Sequence, residues 1–381
     1  MNPTMTESTK DHIIYVNAPG RINLIGEHTD YNDGYAMPAA VDKSIQFKIS
    51  KNKTSDLCTV EAKDFKAKTS FYLHELKHNE SSWVNYVLGV VSEIQKLTSN
   101  LGPFHCEISS TLPVGSGMSS SAALECGLAT ALNELFDLGF SKREIIDIAY
   151  HAERNFVGTQ CGIMDQFASV MGEKDKLLFL DCKTLQYQSL PLNIAPYELV
   201  LLNTGVSHSL LDGDYNNRQE QCYEGVSKLK ASGLKIDALR SVTELDLEQN
   251  KVVLSDKVYK RVLYVVQENQ RVLDAKQAIL DDDIFKLGAL MYETHKGLSE
   301  LYEVSCEELD FLVEFSKDDE AVIGSRMMGG GFGGCTINLV HSDFTDNFTN
   351  AAKTAYKKQF PDLNLETYKV SLSNGTSKYY P

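Results

Sequence analysis

The spacing of apolar residues predicts a chain that mixes short strands with longer helices. Alternating or β-branched residues favour strands, most clearly at 41–50 and 57–62, which we expect to lie in one sheet. Apolar residues recur at helical spacing from about 255 to 315 and again from about 346 to 359. Further strands are predicted at 13–16, 176–180, 198–203, 336–340 and 367–372.

One helix begins in a run of glycines and serines that is the most distinctive stretch of the chain. Segment 112–123 reads LPVGSGMSSSAA, and apolar residues at helical spacing follow it until Gly139. Gly115 and Gly117 allow positive φ and a close approach of backbone N–H groups to a ligand. The segment therefore predicts a glycine loop that faces the N-terminus of a helix.

The loop and the helix start together suit an anion. Unpaired N–H groups and the positive end of the helix dipole favour a phosphate group there. A serine hydroxyl can add a ligand to a phosphate-bound magnesium ion. These features predict a nucleoside triphosphate as the ligand, and the alternative is a simple turn followed by a helix N-cap.

The same string resembles the phosphate-binding signature of the GHMP kinases, a family of small-molecule kinases. That family lacks the P-loop lysine. This chain contains neither G-x-x-x-x-G-K-[ST] nor H-R-D with a suitably spaced Asn, the signatures of two commoner kinase classes. The resemblance implies that ATP is the co-substrate. The residues implied to bind it are Gly115, Ser116, Gly117, Met118, Ser119, Ser120 and Ser121.

The densest polar motif lies near the amino terminus, where segment 18–34 reads APGRINLIGEHTDYNDG. Glu27, His28 and Asp30 place two carboxylates and an imidazole within four residues. Carboxylates accept hydrogen bonds from neighbouring sugar hydroxyls, and histidine can donate or accept. A polar turn with an internally satisfied aspartate is the alternative. Arg21 suits either a clamp on these carboxylates or an electrophile near a transferring phosphoryl group.

This motif is similar to the sugar-recognition signature of the galactokinase family within the GHMP kinases. The resemblance implies that Arg21 acts beside a catalytic aspartate. The segment 215–218, YNNR, is similar to a family element whose tyrosine touches the sugar. Gln219 stands where the family often has a second arginine, so only the tyrosine is carried over. The implied galactose-binding residues are Glu27, His28, Thr29, Asp30, Gly162 and Tyr215.

A capping-box pattern, Ser141 with Glu144 three residues on, predicts a helix that carries Glu153. Asp165 follows among apolar neighbours, as either a helix cap or a group held for chemistry. The segment matches the galactokinase pattern, which implies that Ser121 and Glu153 hold Mg²⁺ and that Asp165 is the catalytic aspartate. The residues leave open whether Asp165 removes a proton or only orients the acceptor hydroxyl and stabilises charge.

Two further motifs are matched by chance. Gly329, Gly331 and Gly334 form G-x-G-x-x-G, but a predicted strand follows them where a dinucleotide-binding fold needs a helix. The run instead resembles the third GHMP motif, a glycine loop that packs beside the phosphate loop. Segment 74–78 matches H-E-x-x-H, yet Lys77 and the polar residues after it predict a solvated turn and not a zinc-binding helix.

Composition narrows the possible partners. The 381 residues include 37 basic and 52 acidic ones, a formal net charge of −15, which repels nucleic acids and anionic membranes. The eight cysteines form no C-x-x-C pair, and there is neither a secretory leader nor an apolar run of about 18 residues. We therefore expect a cytoplasmic protein without nucleic-acid or membrane partners. The resemblance implies galactose and ATP as its partners, and we expect a monomer.

The resemblance implies an α+β fold of two GHMP kinase domains with the active site in the interdomain cleft. Residues 1–193 would form a domain like ribosomal protein S5 domain 2, and residues 194–381 a ferredoxin-like domain. The implied reaction is ATP-dependent phosphorylation of the anomeric hydroxyl of α-D-galactose to galactose 1-phosphate, the first committed step of galactose catabolism. A kinase for N-acetylgalactosamine or arabinose, or a non-catalytic galactose sensor, is the alternative.

Overall fold

The computed structural model describes residues 12–113, 115–206 and 211–381, with the backbone alone at 211–214. These residues form thirteen strands and ten α-helices. The strands are β1 Ile13–Asn23, β2 Tyr35–Ala36, β3 Pro38–Lys51, β4 Leu57–Ala62, β5 Ala67–Tyr72, β6 Phe104–Ser110, β7 Lys176–Asp181, β8 Tyr187–Pro191, β9 Tyr197–Asn203, β10 Val322–Met327, β11 Cys335–His341, β12 Glu366–Val370 and β13 Ser377–Tyr379. The helices are α1 Ser82–Leu97, α2 Ser120–Phe136, α3 Lys142–His151, α4 Met164–Met171, α5 Leu211–Ala231, α6 Glu244–Asn250, α7 Asp256–Leu280, α8 Ile284–Gly297, α9 Glu307–Lys317 and α10 Thr345–Gln359.

The strands form three sheets, and the α+β fold class predicted from the sequence is confirmed. A six-stranded sheet has the order β13-β1-β3-β6-β4-β5, in which β4 and β6 run parallel and the other neighbours antiparallel. A four-stranded antiparallel sheet has the order β10-β11-β9-β12, and a small sheet the order β2-β7-β8. The strands predicted at 41–50 and 57–62 do lie in one sheet.

The six-stranded sheet carries the helix that presents the glycine–serine loop. Helix α2 packs on β1 and β3 over a buried apolar face. Gly127 makes this close approach possible, because a Cβ there would lie 2.1 Å from the Phe47 ring. The sheet therefore sets the position of the N-terminus of α2.

Strand β1 is longer than the predicted segment 13–16, and its extension brings Arg21 to the site. After a register irregularity between Pro19 and Arg21, the strand continues to pair with β3, with Arg21 opposite Ala40. The last strand also joins this sheet, with Tyr379 opposite Tyr15. The end of the chain thus returns to the first sheet, and the division between residues 193 and 194 stays a prediction.

The four-stranded sheet carries the hairpin that closes the site from the other side. Helix α8 lies against β10 at Gly288, where a Cβ would meet the Ile323 carbonyl oxygen at 2.0 Å. Strands β10 and β11 pair antiparallel, and the glycine run lies between them. The strand predicted after the glycines is therefore confirmed, and a dinucleotide-binding helix there is excluded.

Helix boundaries agree with the local signals in most places. The capping box of α3 is formed by Ser141 and Glu144, and a π-helical turn, Ala152–Val157, continues this helix to Gly158. Helix α5 begins at Leu211 and carries Tyr215 in its second turn. Segment 74–78 is not helical, as predicted. Within the described ranges, no helix combines the length and the apolar character needed to cross a membrane.

Candidate active site

A cavity of about 320 Å³ lies where the first polar motif, the start of α2 and the glycine hairpin meet. Its wall includes most of the residues that the sequence singled out. They are Arg21, Glu27, His28, Asp30, Gly115, Gly117, Glu153, Gly162, Asp165, Tyr215 and the glycines from Gly329 to Gly334. Residues distant in the sequence thus surround one space large enough for a small ligand.

Arg21 and Asp165 form a bidentate ion pair in this wall. Nε and Nη2 of Arg21 donate to the two carboxylate oxygens of Asp165 at 2.7 and 2.8 Å. Nη1 donates to the Gly117 carbonyl oxygen. Burial would lower the pKa of Arg21, but nearby carboxylates, Asp165 first among them, outweigh burial and raise it. The pair is therefore a rigid unit, and it orients the Asp165 carboxylate.

The glycine–serine loop adopts the geometry expected of an anion cradle. Gly115 and Gly117 have φ of 70° and 68°, and Ser119, the N-cap of α2, is also left-handed at 54°. The Ser119 hydroxyl donates to the second oxygen of Asp165. The start of α2 is thereby coupled to the catalytic candidate, and the first backbone N–H groups of this helix lack intrahelical partners.

The glycine hairpin packs directly on this loop. A Cβ on Gly117 would lie 3.3 Å from the Met328 carbonyl oxygen, and one on Gly334 would lie 3.6 Å from the Gly115 carbonyl oxygen. Gly329, Gly331, Gly333 and Gly334 all have positive φ, which side chains with a Cβ rarely adopt. The hairpin thus lies beside the glycine–serine loop, as the resemblance implied.

Asp30 is held against the backbone of Gly162. A Cβ at position 162 would lie 1.9 Å from Oδ2 of Asp30, so only glycine permits this approach. Burial raises the pKa of Asp30 to about 7, and the charge of Asp165 acts in the same direction. Hydroxyl groups that donate to the charged carboxylate would lower this pKa again. A polyhydroxylated ligand offers such hydroxyl groups.

The Glu27 side chain lines the cavity and also bonds to groups in the protein interior. Its Oε1 accepts hydrogen bonds from Nη2 of Arg326 at 3.0 Å and from the Gly329 N–H at 2.8 Å. Arg326 has no exposed side-chain area, and Glu27 has 2%. Arg326 also donates to the backbone carbonyls of Leu24, Met327 and Asn23. This buried ion pair joins the first polar motif to the glycine hairpin.

His28 has one bonded and one unbonded ring nitrogen. Nδ1 lies 2.7 Å from the Tyr31 hydroxyl, whereas the buried Nε2 has no hydrogen-bond partner. Burial lowers the pKa of His28 to about 4, so the ring is neutral near pH 7. The Tyr215 ring packs on it at a centroid distance of 5.4 Å. The unsatisfied nitrogen is a ready contact for a polar ligand in the cavity.

Glu153 and Ser121 form the candidate metal-binding pair. Gln166 donates to Oε2 of Glu153 at 2.7 Å. Burial raises the pKa of Glu153 to about 7, with Asp165 adding to the rise and the Ser121 hydroxyl opposing it. In the part of the chain that the structure describes, no group of three or more His, Cys, Asp or Glu side chains could hold a metal. A single carboxylate and a hydroxyl fit Mg²⁺, which completes its shell with phosphate and water oxygens.

Several predicted site residues lie behind the cavity wall instead of in it. The Thr29 hydroxyl donates to the carbonyls of Gly26 and Tyr35 at 2.8 and 2.7 Å. The Ser116 hydroxyl donates to the Pro113 carbonyl at 2.8 Å. The described residues that line the cavity do not include these two. They also do not include Met118, Ser119, Ser120 or Ser121. Their ligand-binding roles stay predictions.

Some residues that shape the site gave no local signal. Arg326 lies in a strand just before the glycine hairpin, and only the tertiary structure brings it to Glu27. Tyr264 donates to the Glu27 carbonyl at 3.0 Å from a long helix. Arg218, left undecided by the sequence, donates to the carbonyls of Tyr302 and Glu303 at 2.8 and 2.6 Å. These contacts support the site from outside.

The chain resembles known proteins along nearly its whole length. Residues 85–173 match the model of the GHMP kinases N terminal domain, and residues 6–51 match the galactokinase galactose-binding signature. The galactokinase of Thermosipho africanus is 38% identical over 371 residues, 95% of this chain and 99% of the relative. The galactokinase of Thermotoga petrophila is 40% identical over 373 residues, with the same shares.

Solved structures give the same picture. The Lactococcus lactis galactokinase complexed with galactose superposes with a TM-score of 0.93 at 31% identity, over 98% of this chain and 96% of that one. The Methanococcus jannaschii mevalonate kinase has a TM-score of 0.62 at 17% identity, over 97% and 100% of the two chains. The similarity to this mevalonate kinase shows only that the two proteins share a fold.

Glu27→Gln tests the buried ion pair with Arg326. Glutamine keeps the size and one acceptor oxygen but leaves a buried guanidinium without its opposite charge, so we expect a loss of about 3 kcal/mol in the free energy of unfolding. Urea denaturation measures it. The matched control is Glu75→Gln, which removes an exposed partner of Lys77 and should leave stability unchanged. Equal stability of both variants would contradict a stabilising role for the pair.

Asp30→Asn tests the raised pKa of Asp30. The native pKa of about 7 lies above the unfolded value near 3.8, so the wild type loses stability as pH rises from about 4 through 7. The variant does not lose stability in this way, because asparagine does not titrate. We expect it to be more stable than the wild type at pH 8, by on the order of 2–4 kcal/mol, and equally stable below pH 4.

Chemical denaturation across this pH range measures the difference. The exposed Asp175→Asn serves as the control and should run parallel to the wild type. A constant offset between Asp30→Asn and the wild type at every pH would show that the native carboxyl titrates as it does in the unfolded chain.

Proposed function

The chain belongs to the galactokinase family of GHMP kinases, and from that premise we propose that it transfers the γ-phosphoryl group of ATP to the anomeric hydroxyl of α-D-galactose. The products are galactose 1-phosphate and ADP. One observation carries the proposal: the Arg21–Asp165 pair lies in a cavity bounded by the sugar motif on one side and by the phosphate loop on the other.

The sugar occupies the part of the cavity near Asp30. The Asp30 carboxylate, the Glu27 carboxylate and Nε2 of His28 supply acceptors and a donor of the kind that hexose hydroxyls need. Gly162 leaves room for Asp30, and the Tyr215 ring covers the sugar motif through its contact with His28. These contacts support galactose recognition by the residues that the family signature implies.

ATP occupies the other part, with its phosphates on the loop from Gly115 to Ser121. The positive φ of Gly115 and Gly117 turns backbone N–H groups toward the cavity, and the N-terminus of α2 adds a positive dipole end. The glycine hairpin packs beside this loop and also lines the cavity. The transferring phosphoryl group would then lie between the loop and Asp165.

Asp165 accepts the hydrogen bond of the anomeric hydroxyl and receives its proton as the bond to phosphorus forms. Arg21 holds both carboxylate oxygens, and the Ser119 hydroxyl holds one of them, so the attacking hydroxyl meets a fixed acceptor. Phosphoryl transfer needs little covalent help from the protein, and positioning and charge neutralisation supply most of the rate. Arg21 is the cation nearest to the developing charge.

Glu153 and Ser121 are the residues that would hold Mg²⁺. Their carboxylate and hydroxyl oxygens are the hard ligands that this ion prefers, and Gln166 fixes the Glu153 carboxylate from the protein side. When bound, the ion would neutralise charge on the phosphate groups. We further propose that the protein acts in the cytoplasm as a monomer. It has no nucleic-acid or membrane partners, in keeping with its net charge of −15.

A coupled assay of ADP release tests the function. Purified protein with Mg²⁺ and ATP should release ADP when galactose is added, and it should form galactose 1-phosphate, detected by ³¹P NMR. N-acetylgalactosamine and arabinose are the comparison substrates. ADP release with one of these sugars but not with galactose would reassign the substrate, and galactose binding without any turnover would reassign the protein as a sensor.

Asp165→Asn tests the catalytic carboxylate. Asparagine keeps the size but loses the charge and the basicity, so we expect kcat to fall by about 10³ while galactose still binds. Steady-state kinetics and calorimetric titration with galactose measure the two effects. The control is Asp147→Asn, which breaks an exposed pair with Arg143 and should leave kcat unchanged. A near-normal kcat for Asp165→Asn would remove Asp165 from the reaction.

A further inference from the structure

A chain of hydrogen bonds runs from His28 away from the cavity into the protein. Nδ1 of His28 lies 2.7 Å from the Tyr31 hydroxyl, which lies 2.8 Å from the Tyr302 hydroxyl. The Tyr302 hydroxyl in turn lies 3.2 Å from Sγ of Cys222. Three consecutive links thus connect the sugar motif to helix α5 and to the segment after α8.

The chain is closed off from solvent. His28 and Tyr31 are 4% and 8% exposed, and Tyr302 and Cys222 are fully buried. The Tyr302 ring packs against the His28 ring at 4.8 Å and against the Tyr264 ring at 4.7 Å. Each hydroxyl has one proton to donate, so the direction of one link constrains the directions of the others.

Only two sets of donor directions satisfy all three links and also use both phenol protons within the chain. The buried imidazole is neutral near pH 7 and carries a single N–H, and burial also keeps both phenols protonated by raising their pKa values. In one arrangement Cys222 donates to Tyr302, Tyr302 to Tyr31, and Tyr31 to Nδ1 of His28. In the other every donor is reversed, and Nδ1 carries the proton.

The chemistry of the end groups favours the first arrangement. Phenol is a strong donor and a bare imidazole nitrogen a strong acceptor, whereas a thiol sulfur accepts weakly. The first arrangement pairs the strong donor with the strong acceptor, and the second directs a phenol to sulfur. When Nδ1 accepts from Tyr31, the single proton of the neutral ring lies on Nε2.

We propose that Tyr31 and Tyr302 are positioning residues that hold His28 in its Nε2–H tautomer, so that the ring presents a hydrogen-bond donor to one galactose hydroxyl. The identity of the sugar rests on the proposed function. The tautomer does not rest on the proposed function, because it is inferred from the buried chain of hydrogen bonds alone. Tyr31 acts directly on the ring. Tyr302 acts through Tyr31, because the Tyr302 hydroxyl donates to the Tyr31 oxygen.

¹⁵N NMR of histidine-labelled protein tests the tautomer without turnover. The chain has nine histidines, and a His28→Asn variant identifies the His28 signals. We expect a protonated Nε2 and a bare Nδ1 in the sugar-free wild type. Tyr31→Phe should convert this signal to a mixture of tautomers. A protonated Nδ1 in the wild type would overturn the proposal, whatever sugar the enzyme uses.

Kinetics test the consequence for the sugar. We expect Tyr31→Phe to raise the KM for galactose about tenfold, with the KM for ATP unchanged and kcat changed less. Tyr302→Phe should have a smaller effect in the same direction. The matched control is Tyr259→Phe, which removes a phenol that donates to Oε2 of Glu248 at 3.3 Å and does not line the cavity. It should leave both KM values unchanged.

The four galactose analogues that lack one hydroxyl at carbon 2, 3, 4 or 6 separate positioning from general damage. Tyr31→Phe should weaken the use of galactose and of three analogues alike. It should have little effect on the one that lacks the hydroxyl bound by His28, because that contact is already lost. An equal loss for all five sugars would refute the proposal, and a wild type inactive on galactose would refute the proposed function instead.

Discussion

The guanidinium of Arg326 has no contact with water, so the protein itself must satisfy its charge and its N–H groups. It does so with the Glu27 carboxylate and with backbone carbonyls of Asn23, Leu24 and Met327. Burying a charge is costly unless such partners are in place. The sugar motif and the base of the glycine hairpin are therefore held in one fixed relation, on which the shape of the cavity depends.

The cavity concentrates acidic groups where water is scarce. Asp30 and Glu153 both have pKa values raised to about 7 by burial, and the pKa of the fully buried Glu125 is raised as well, with Glu153 contributing. Arg21 supplies a compensating charge through Asp165. Ligands that donate hydrogen bonds or bring cations would favour the charged carboxylates and lower these pKa values.

Much of the site could be predicted because its signals are local. The turn at Gly115 and Gly117 and the N-terminus of α2 follow from glycine conformation and helix geometry, which depend on neighbouring residues only. The motif that contains Glu27, His28 and Asp30 is likewise contiguous. The sheet alternation and the helical periodicity of the second half are also short-range patterns, and the structure confirms them.

The sequence by itself thus determined the elements, the glycine–serine loop before α2 and the family to which the first polar motif belongs. The tertiary structure decided which atoms of these residues meet. It paired Arg21 with Asp165 across 144 positions and Glu27 with Arg326 across 299, and it placed Asp30 against a glycine backbone. It also turned Thr29 away from the cavity. Such contacts depend on how sheets and helices pack, and packing between distant segments leaves no periodic signal along the chain.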